Sequence, residues 1–348
     1  VATTKSILKS IQDDYGEAVA SEGVELVDET RIATGVFPFD LATGGGFPEG
    51  RISVVYGPES SLKTTIVLKA IATMQMLHPE KTCVFIDVEV AYNPEWGAKL
   101  GVDNDKLYYV IPDYAEQAVD IAEAFMYADD VGIVAIDSLA ALITANEVDS
   151  SAEKAVVGGS GLVVGKLYRK VTLAMGKAKK EGRKPTFIAI NQIRYKIGVM
   201  FGDPEVMPGG VAFKFASSLT VRMYGKDELD KKISAVLPAW KTCTGIVKKY
   251  RVPIAARTFK FKLATMPHPI KGLTVGDVDD WSTLCKYLKE FDMLFKDGKD
   301  WHLAGNTFPT QTACREAFIE EPQWGNAIRA TLIRSAVEKG NIGEDEDE

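Results

Sequence analysis

Long apolar runs are missing from this sequence. No stretch approaches eighteen consecutive apolar residues, so no segment has the length of a membrane-spanning helix, and Val1 to Gln12 has no apolar stretch resembling a secretory leader. Cysteine is scarce: Cys83, Cys243, Cys285 and Cys314 stand far apart with no paired spacing. That argues against a disulfide framework and a zinc site, and predicts a reducing, cytoplasmic setting. There is no internal repeat, and the only low-complexity segment is the acidic end. Positive charge is also short. The net charge is −7, but Glu344 to Glu348 are all acidic, and removing those five charges takes −7 to −2. Since nucleic-acid binding depends on local charge, this balance does not exclude it, and Lys177, Lys179, Lys180, Arg183 and Lys184 form a basic cluster.

What is present is ordinary globular material: 46% hydrophobic and 26% charged residues over 348 positions, enough for one large domain and a smaller one. Ile7, Leu8, Ile11 and Tyr15 fall at helical spacing and predict an amphipathic helix over residues 4–19, too small to bury itself without docking on its own core or on a neighbouring subunit. Apolar runs at Ile52–Tyr56, Thr82–Asp87, Leu107–Ile111, Gly132–Asp137 and Thr186–Asn191 are mostly separated by helix-like stretches at Thr65–Leu77, Ala115–Ala128 and Leu162–Lys180. This alternation predicts an α/β fold with a mostly parallel central sheet covered on both faces. Hairpin-like segments follow at Leu219–Tyr224, Gly245–Lys249 and Thr258–Leu263. A smaller, more helical segment comes after about Pro267, with helices at Trp281–Phe291 and Gln323–Val337.

Between the first of those strands and the first of those helices lies Gly57-Pro58-Glu59-Ser60-Ser61-Leu62-Lys63-Thr64-Thr65. A phosphate-binding loop belongs there, because backbone N–H groups at a helix N-terminus favour anions. Lys63 would reach the β- and γ-phosphates of ATP, and the Thr64 hydroxyl would ligate Mg²⁺. Leu62 stands where the usual pattern has glycine. The departure is tolerable if Leu62 is already helical, because it then needs neither positive φ nor a missing side chain. Asp137 ends one strand, where it would hold the Mg²⁺ hydration shell, and Asp87-Val88-Glu89 ends another, where a carboxylate could orient an attacking water.

These residues resemble the RecA family of ATP-dependent recombination proteins. Gly57–Thr65 is similar to its phosphate loop apart from Leu62, Phe85–Glu89 to the strand carrying its catalytic glutamate, and Ile136–Leu142 to its Mg²⁺ strand. The most specific likeness is the ungapped run Ile190-Asn191-Gln192-Ile193-Arg194-Tyr195-Lys196-Ile197-Gly198-Val199-Met200-Phe201-Gly202, which enters that family's second DNA loop. The likeness is clear from about Arg31 to Leu263 and fainter toward both ends. Leu62 and the divergent C-terminal region resemble phage members more than bacterial ones.

The resemblance implies a RecA-type P-loop ATPase core with a short N-terminal helix and strand for subunit contact and a small α+β C-terminal domain. The corresponding divisions are 1–30, 31–265, 266–342 and an acidic tail at 343–348. Glu89 matches the residue that activates water, and Gln192 the residue that senses the γ-phosphate and couples it to the DNA loop. Trp96 stands where a tyrosine stacks on adenine, and Asn93 where an aspartate contacts the adenine edge. Lys248 matches one of two lysines reaching the neighbouring subunit's ATP. The second position is Tyr250, so either Lys249 or Arg251 substitutes there or that role is lost. The implied partners are single-stranded DNA, homologous double-stranded DNA and further copies of the chain in a helical filament with ATP at subunit interfaces.

Two Gly-rich loops should face the DNA, one over about 147–161 containing Gly158-Gly159-Ser160-Gly161, the other over about 193–210 ending in Pro208-Gly209-Gly210. Their backbone N–H groups with Arg169, Arg194 and Lys196 could track phosphates without reading sequence. Ile197, Val199, Met200 and Phe201, with Gly198 among them, form an apolar run in which Ile197 would wedge between bases. In the first loop the wedge position falls near Ser160, which is unsuited to it, and Val156 or Val157 would take the role. A helicase-like motor shares the phosphate loop and Mg²⁺ acid but not the Asn191–Gly202 run. A DNA-binding regulator without turnover would not need Lys63, Thr64, Glu89, Asp137 and Gln192 together. Nothing resembles the acceptor pocket of a metabolic kinase.

Overall fold

The computed structural model describes residues 3–16, 19, 30–150, 159–195, 205–209, 215–251, 254–269 and 271–343. The chain opens with α1 (Thr4–Tyr15), capped by Thr3, whose hydroxyl accepts the Ser6 N–H at 3.3 Å. The helix stops short of residue 19 because Gly16 leaves the helical region at φ 92°. None of its residues is buried. Of the two docking sites expected for it, its own core is therefore not used.

A two-stranded ladder of β1 (Arg31–Ile32) and β2 (Phe47–Pro48) encloses α2 (Phe37–Ala42). The long β-type run follows as β3 (Ile52–Gly57), buried at every position, and α3 (Lys63–Leu77). The alternation then continues through β4 (Thr82–Asp87), α4 (Pro94–Lys99), β5 (Leu107–Val110), α5 (Ala115–Met126), β6 (Val131–Asp137), the short α6 (Ala145–Val148), α7 (Gly159–Lys180) and β7 (Thr186–Gln192). A small ladder pairs β8 (Arg194–Tyr195) with β9 (Glu205–Val206). The core ends with β10 (Leu219–Glu228), β11 (Trp240–Tyr250) and β12 (Thr258–Ala264).

Eight of these strands form one sheet in the order β12-β11-β10-β3-β7-β6-β4-β5. From β10 to β5 every pairing is parallel, and β11 and β12 extend one edge antiparallel. Unbroken apolar strands need cover on both faces. One face packs Val55, Phe85, Ile133, Ile188 and Ile190 with α3 and Phe39 of α2. The other packs Val54, Val84, Val134 and Phe187 with α5 and α7.

After the sheet come α8 (Trp281–Glu290), a three-stranded antiparallel sheet of β13 (Leu294–Asp297), β14 (Asp300–Leu303) and β15 (Asn306–Phe308), then α9 (Gln311–Glu320) and α10 (Pro322–Gly343). Their core includes Leu284, Leu288, Phe318 and Leu332 and also takes in Phe37 and Leu41 of α2. A buried ion pair fastens the junction: Arg329 Nη1 lies 2.8 Å from Asp280 Oδ2 and 3.1 Å from the Gly35 carbonyl, while Asp280 accepts the Phe37 N–H at 3.0 Å. No helix among the described residues is long and apolar enough to cross a membrane.

Candidate active site

Four neighbouring strands, β3, β7, β6 and β4, end side by side. Their registers place Gly57 opposite Gln192 and Asp87 opposite Asp137. Strand ends in a parallel sheet all point to one edge, so residues far apart in sequence converge there. The phosphate loop leaves β3 at that edge. It is held tightly from behind: a Cβ on Gly225 of β10 would lie 2.2 Å from the Ser60 carbonyl oxygen, so only glycine allows this approach.

Leu62 is not helical. It sits at φ 65°, ψ 24°, in the left-handed region immediately before α3. Because the loop must reverse to aim N–H groups along the helix axis, the position needs positive φ whatever residue occupies it, and packing of Leu62 on the core offsets the strain. Ser60 shares this conformation at φ 57°. Lys63 is buried, its Nζ donating to the Pro58 carbonyl at 2.6 Å, and burial lowers its pKa despite Asp137, Glu89 and Glu59 nearby. The Ser61 hydroxyl donates to the same carbonyl at 2.8 Å. Thr65 is buried in the first turn of α3.

Where Mg²⁺ is expected, Thr64 Oγ1 meets Asp137 Oδ2 at 2.5 Å. Burial first, then the Glu89 and Asp87 carboxylates, push the Asp137 pKa up to about 6, against the Thr64 hydrogen bond and Lys63, which lower it. Such an all-oxygen pair next to a phosphate loop, with the Glu89 and Asp87 carboxylates close by, fits a hard divalent cation. Glu89 is exposed on the loop after β4, and its Oε1 accepts from Gln192 Nε2 at 2.8 Å and from the Ser138 hydroxyl. Ser138 follows Asp137 directly. Its role was not foreseen, because only the fold brings its hydroxyl to β4.

An open cleft of about 300 Å³ runs from the loop (Ser60 to Thr65) to Trp96, Leu263, Thr265 and Lys241. Trp96, expected as a base platform, thus lines the same cleft as the phosphate loop. Asn93 caps α4, its Oδ1 accepting the Trp96 N–H at 2.9 Å, so any contact with a base edge falls to its Nδ2. The cleft walls Lys241, Leu263 and Thr265 come from β11, β12 and the residue after β12, and nothing in the sequence pattern marked them.

Lys248 is the extra residue of a β-bulge: Thr220 pairs with Lys249 and Val221 with Val247, leaving Lys248 exposed between them. Of its expected companions, Arg251 donates to the Phe215 carbonyl at 2.9 Å, and burial lowers the pKa of Lys249. The cation beside Tyr250 is instead Arg257, which donates to the phenol oxygen at 2.7 Å and lies over the ring at 5.4 Å.

Arg169 is exposed on α7 and Arg194 is exposed on β8. Asn191 Nδ2 donates to the Pro208 carbonyl at 2.9 Å, tying the loop's return to β7, and Gly209 is buried at φ 90°. The Glu205 carboxylate pairs with Arg222 of β10 and anchors β9. Lys196, Ile197, Gly198, Val199, Met200, Phe201 and Gly210 lie outside the described residues, as do Val156 and Val157. The first loop is shorter than expected: Gly159, Ser160 and Gly161 form the first turn of α7, because a helix N-terminus tolerates glycine better than a helix interior does.

A three-layer fold with a phosphate loop after β3 and acids ending β4 and β6 defines a P-loop nucleotide-binding core. Residues 2–264 match the RecA N-terminal domain, and the chain belongs to the RecA family. It is 41% identical over 219 residues to Protein RecA of Aquifex pyrophilus, covering 62% of this chain and 61% of that one. To Protein RecA of Enterococcus mundtii it is 40% identical over 231 residues (66% and 65%), and to that of Staphylococcus aureus strain JH9 39% over 227 residues (64% and 63%). The chain thus spans somewhat less than two thirds of the length of these curated relatives.

Proposed function

We propose that this protein is an ATP-dependent DNA recombinase: it assembles on single-stranded DNA as a helical filament, pairs that strand with a homologous duplex and hydrolyses ATP in the process. The observation that carries this reading is the contact of Gln192 with Glu89 at 2.8 Å. Gln192 ends β7 one residue before the segment leading into the second loop, so a ligand on that loop and the carboxylate that orients water act on one side chain. A generic motor needs the phosphate loop but not this link.

In this reading the loop N–H groups and Lys63 bind the β- and γ-phosphates, and Lys63 gives up the Pro58 carbonyl to do so. Thr64 and, through water, Asp137 hold Mg²⁺, which neutralises phosphate oxygens. Glu89 orients the attacking water, with Ser138 fixing the carboxylate. Trp96 stacks on the base and Asn93 meets its edge. Lys248 and Arg257 reach the neighbouring subunit's nucleotide. Arg169, Arg194 and Lys196 hold DNA phosphates, the segment from Ile197 to Phe201 separates bases, and Gly209 and Gly210 allow the backbone to approach the strand. Nucleotide between subunits favours the DNA-binding filament, and hydrolysis releases it.

The test is displacement-loop formation with a labelled single strand, supercoiled duplex, ATP and Mg²⁺. Joint molecules that require both homology and ATP are expected. Folded protein that hydrolyses ATP on DNA without forming them is a motor instead, and folded protein that binds DNA without hydrolysing ATP is a regulator. Gln192→Ala should bind ATP yet lose DNA-stimulated hydrolysis, and preserved stimulation would remove Gln192 from the coupling role.

A further inference from the structure

The carboxylate of Asp87, the last residue of β4, takes its hydrogen bonds from the far side of the loop that carries Glu89 and from β5. It is buried, and three donors converge on its Oδ2: the Ala91 N–H at 2.9 Å, the Tyr92 N–H at 2.8 Å and the Tyr109 hydroxyl at 2.9 Å. The two amides belong to the loop that carries Glu89, and the hydroxyl comes from the neighbouring strand β5. Between them Val90 is held at φ 53°, a conformation that a β-branched residue adopts only when its surroundings impose it. The other side of the loop is fixed by backbone, with the Val88 and Glu89 N–H groups directed to the Asp137 carbonyl at 2.7 and 3.3 Å. The Tyr109 ring lies tilted against Tyr92 at 5.4 Å, and Tyr92 in turn lies 5.5 Å from Phe85.

We propose that Asp87 and Tyr109 form a positioning clamp for Glu89: the phenol of Tyr109 locks the Asp87 carboxylate, and that carboxylate holds the strained 88–92 loop so that Glu89 faces Gln192 and Ser138. This deepens the proposed ATP hydrolysis and rests on it. Neither residue touches the nucleotide cleft, so the clamp governs turnover rather than nucleotide affinity. Tyr109 is well suited to the task because its ring packs on Tyr92 while its hydroxyl makes the polar contact.

The experiment measures kcat and KM for single-stranded-DNA-stimulated ATP hydrolysis by the full chain, with the affinity for a fluorescent ATP analogue and the thermal midpoint alongside. Tyr109→Phe keeps the ring contact and deletes the hydroxyl. It should lower kcat about tenfold with KM and analogue affinity within about twofold, the rate equivalent of the lower end of the range for a hydrogen bond to a charged group. Asp87→Asn should lower kcat further in the same pattern. Should Asp87→Asn fail to fold, Tyr109→Phe alone decides. A Tyr109→Phe enzyme with unchanged kcat, or with kcat and KM lost together in step with the thermal midpoint, overturns the clamp while leaving the recombinase reading intact. A folded wild-type chain that does not hydrolyse ATP overturns both.

Discussion

The left-handed Leu62 reverses a familiar order of stabilities. Inside a helix, glycine is about 1 kcal/mol worse than alanine. At φ 65° a residue with a Cβ is penalised by roughly 1–2 kcal/mol, while glycine gives up about 0.5–1 kcal/mol through the freedom of its unfolded chain. The packing of the leucine side chain on the core is lost almost equally in both truncations, so it nearly cancels between them. Leu62→Gly should therefore be more stable than Leu62→Ala by about 0.5–1 kcal/mol. A control ten residues on, Ala72→Gly within α3, should cost about 1 kcal/mol. Urea unfolding of the nucleotide-free protein, monitored through its tryptophans, gives all four midpoints. If Leu62→Ala is the more stable of the pair, residue 62 is helical in solution and the conformation of the phosphate loop described above is wrong.

Lys63→Ala should abolish nucleotide-dependent assembly in sedimentation with ATP and Mg²⁺, and normal hydrolysis by that variant would place the phosphate site elsewhere. Arg329→Ala takes from the buried Asp280 its hydrogen-bonded cation and leaves the Phe37 N–H and the more distant Lys69 charge, so it should cost about 2 kcal/mol in urea unfolding; a loss under about 1 kcal/mol would mean the pair does not fasten the C-terminal elements. Asp40 accepts from Thr34 and Gly35, but burial outweighs these bonds and Arg329 and lifts its pKa from 3.8 to about 7. The folded state then holds a proton that the unfolded state releases. Stability relative to Asp40→Asn should fall by about 1.4 kcal/mol per unit as pH rises between 5 and 6.5, and level off above 7. Parallel pH curves for the two proteins would show Asp40 to be charged throughout.

Strands buried on both faces were the most legible elements. Thr82–Asp87 agrees residue for residue with β4, and the other central strands agree within one or two, because an unbroken apolar run leaves little choice of boundary. The strands β13 to β15 were not legible: they are three or four residues long and largely exposed, and Leu294-Phe295-Lys296-Asp297 has no repeat to read. At the site, Lys63, Thr64, Glu89, Asp137 and Gln192 could be named because each sits at a strand end or helix start with a motif around it. The contacts of Ser138 with Glu89 and of Tyr109 with Asp87 join positions 49 and 22 residues apart, and only the strand order brings them together. Leu62 misled for a local reason. Its side chain argued for a helical residue, whereas the turn required the conformation that glycine usually supplies.

The four strand ends also predict which changes of length the gene can tolerate. Side chains alternate between faces along a strand, so losing one residue inside β4, β6 or β7 would turn its terminal Asp87, Asp137 or Gln192 to the wrong face as surely as deleting it. Insertions between α5 and β6, on the opposite edge of the sheet, leave every one of those orientations unchanged. Single-codon deletions scanned along the chain should thus map the active edge of the sheet by strand register alone.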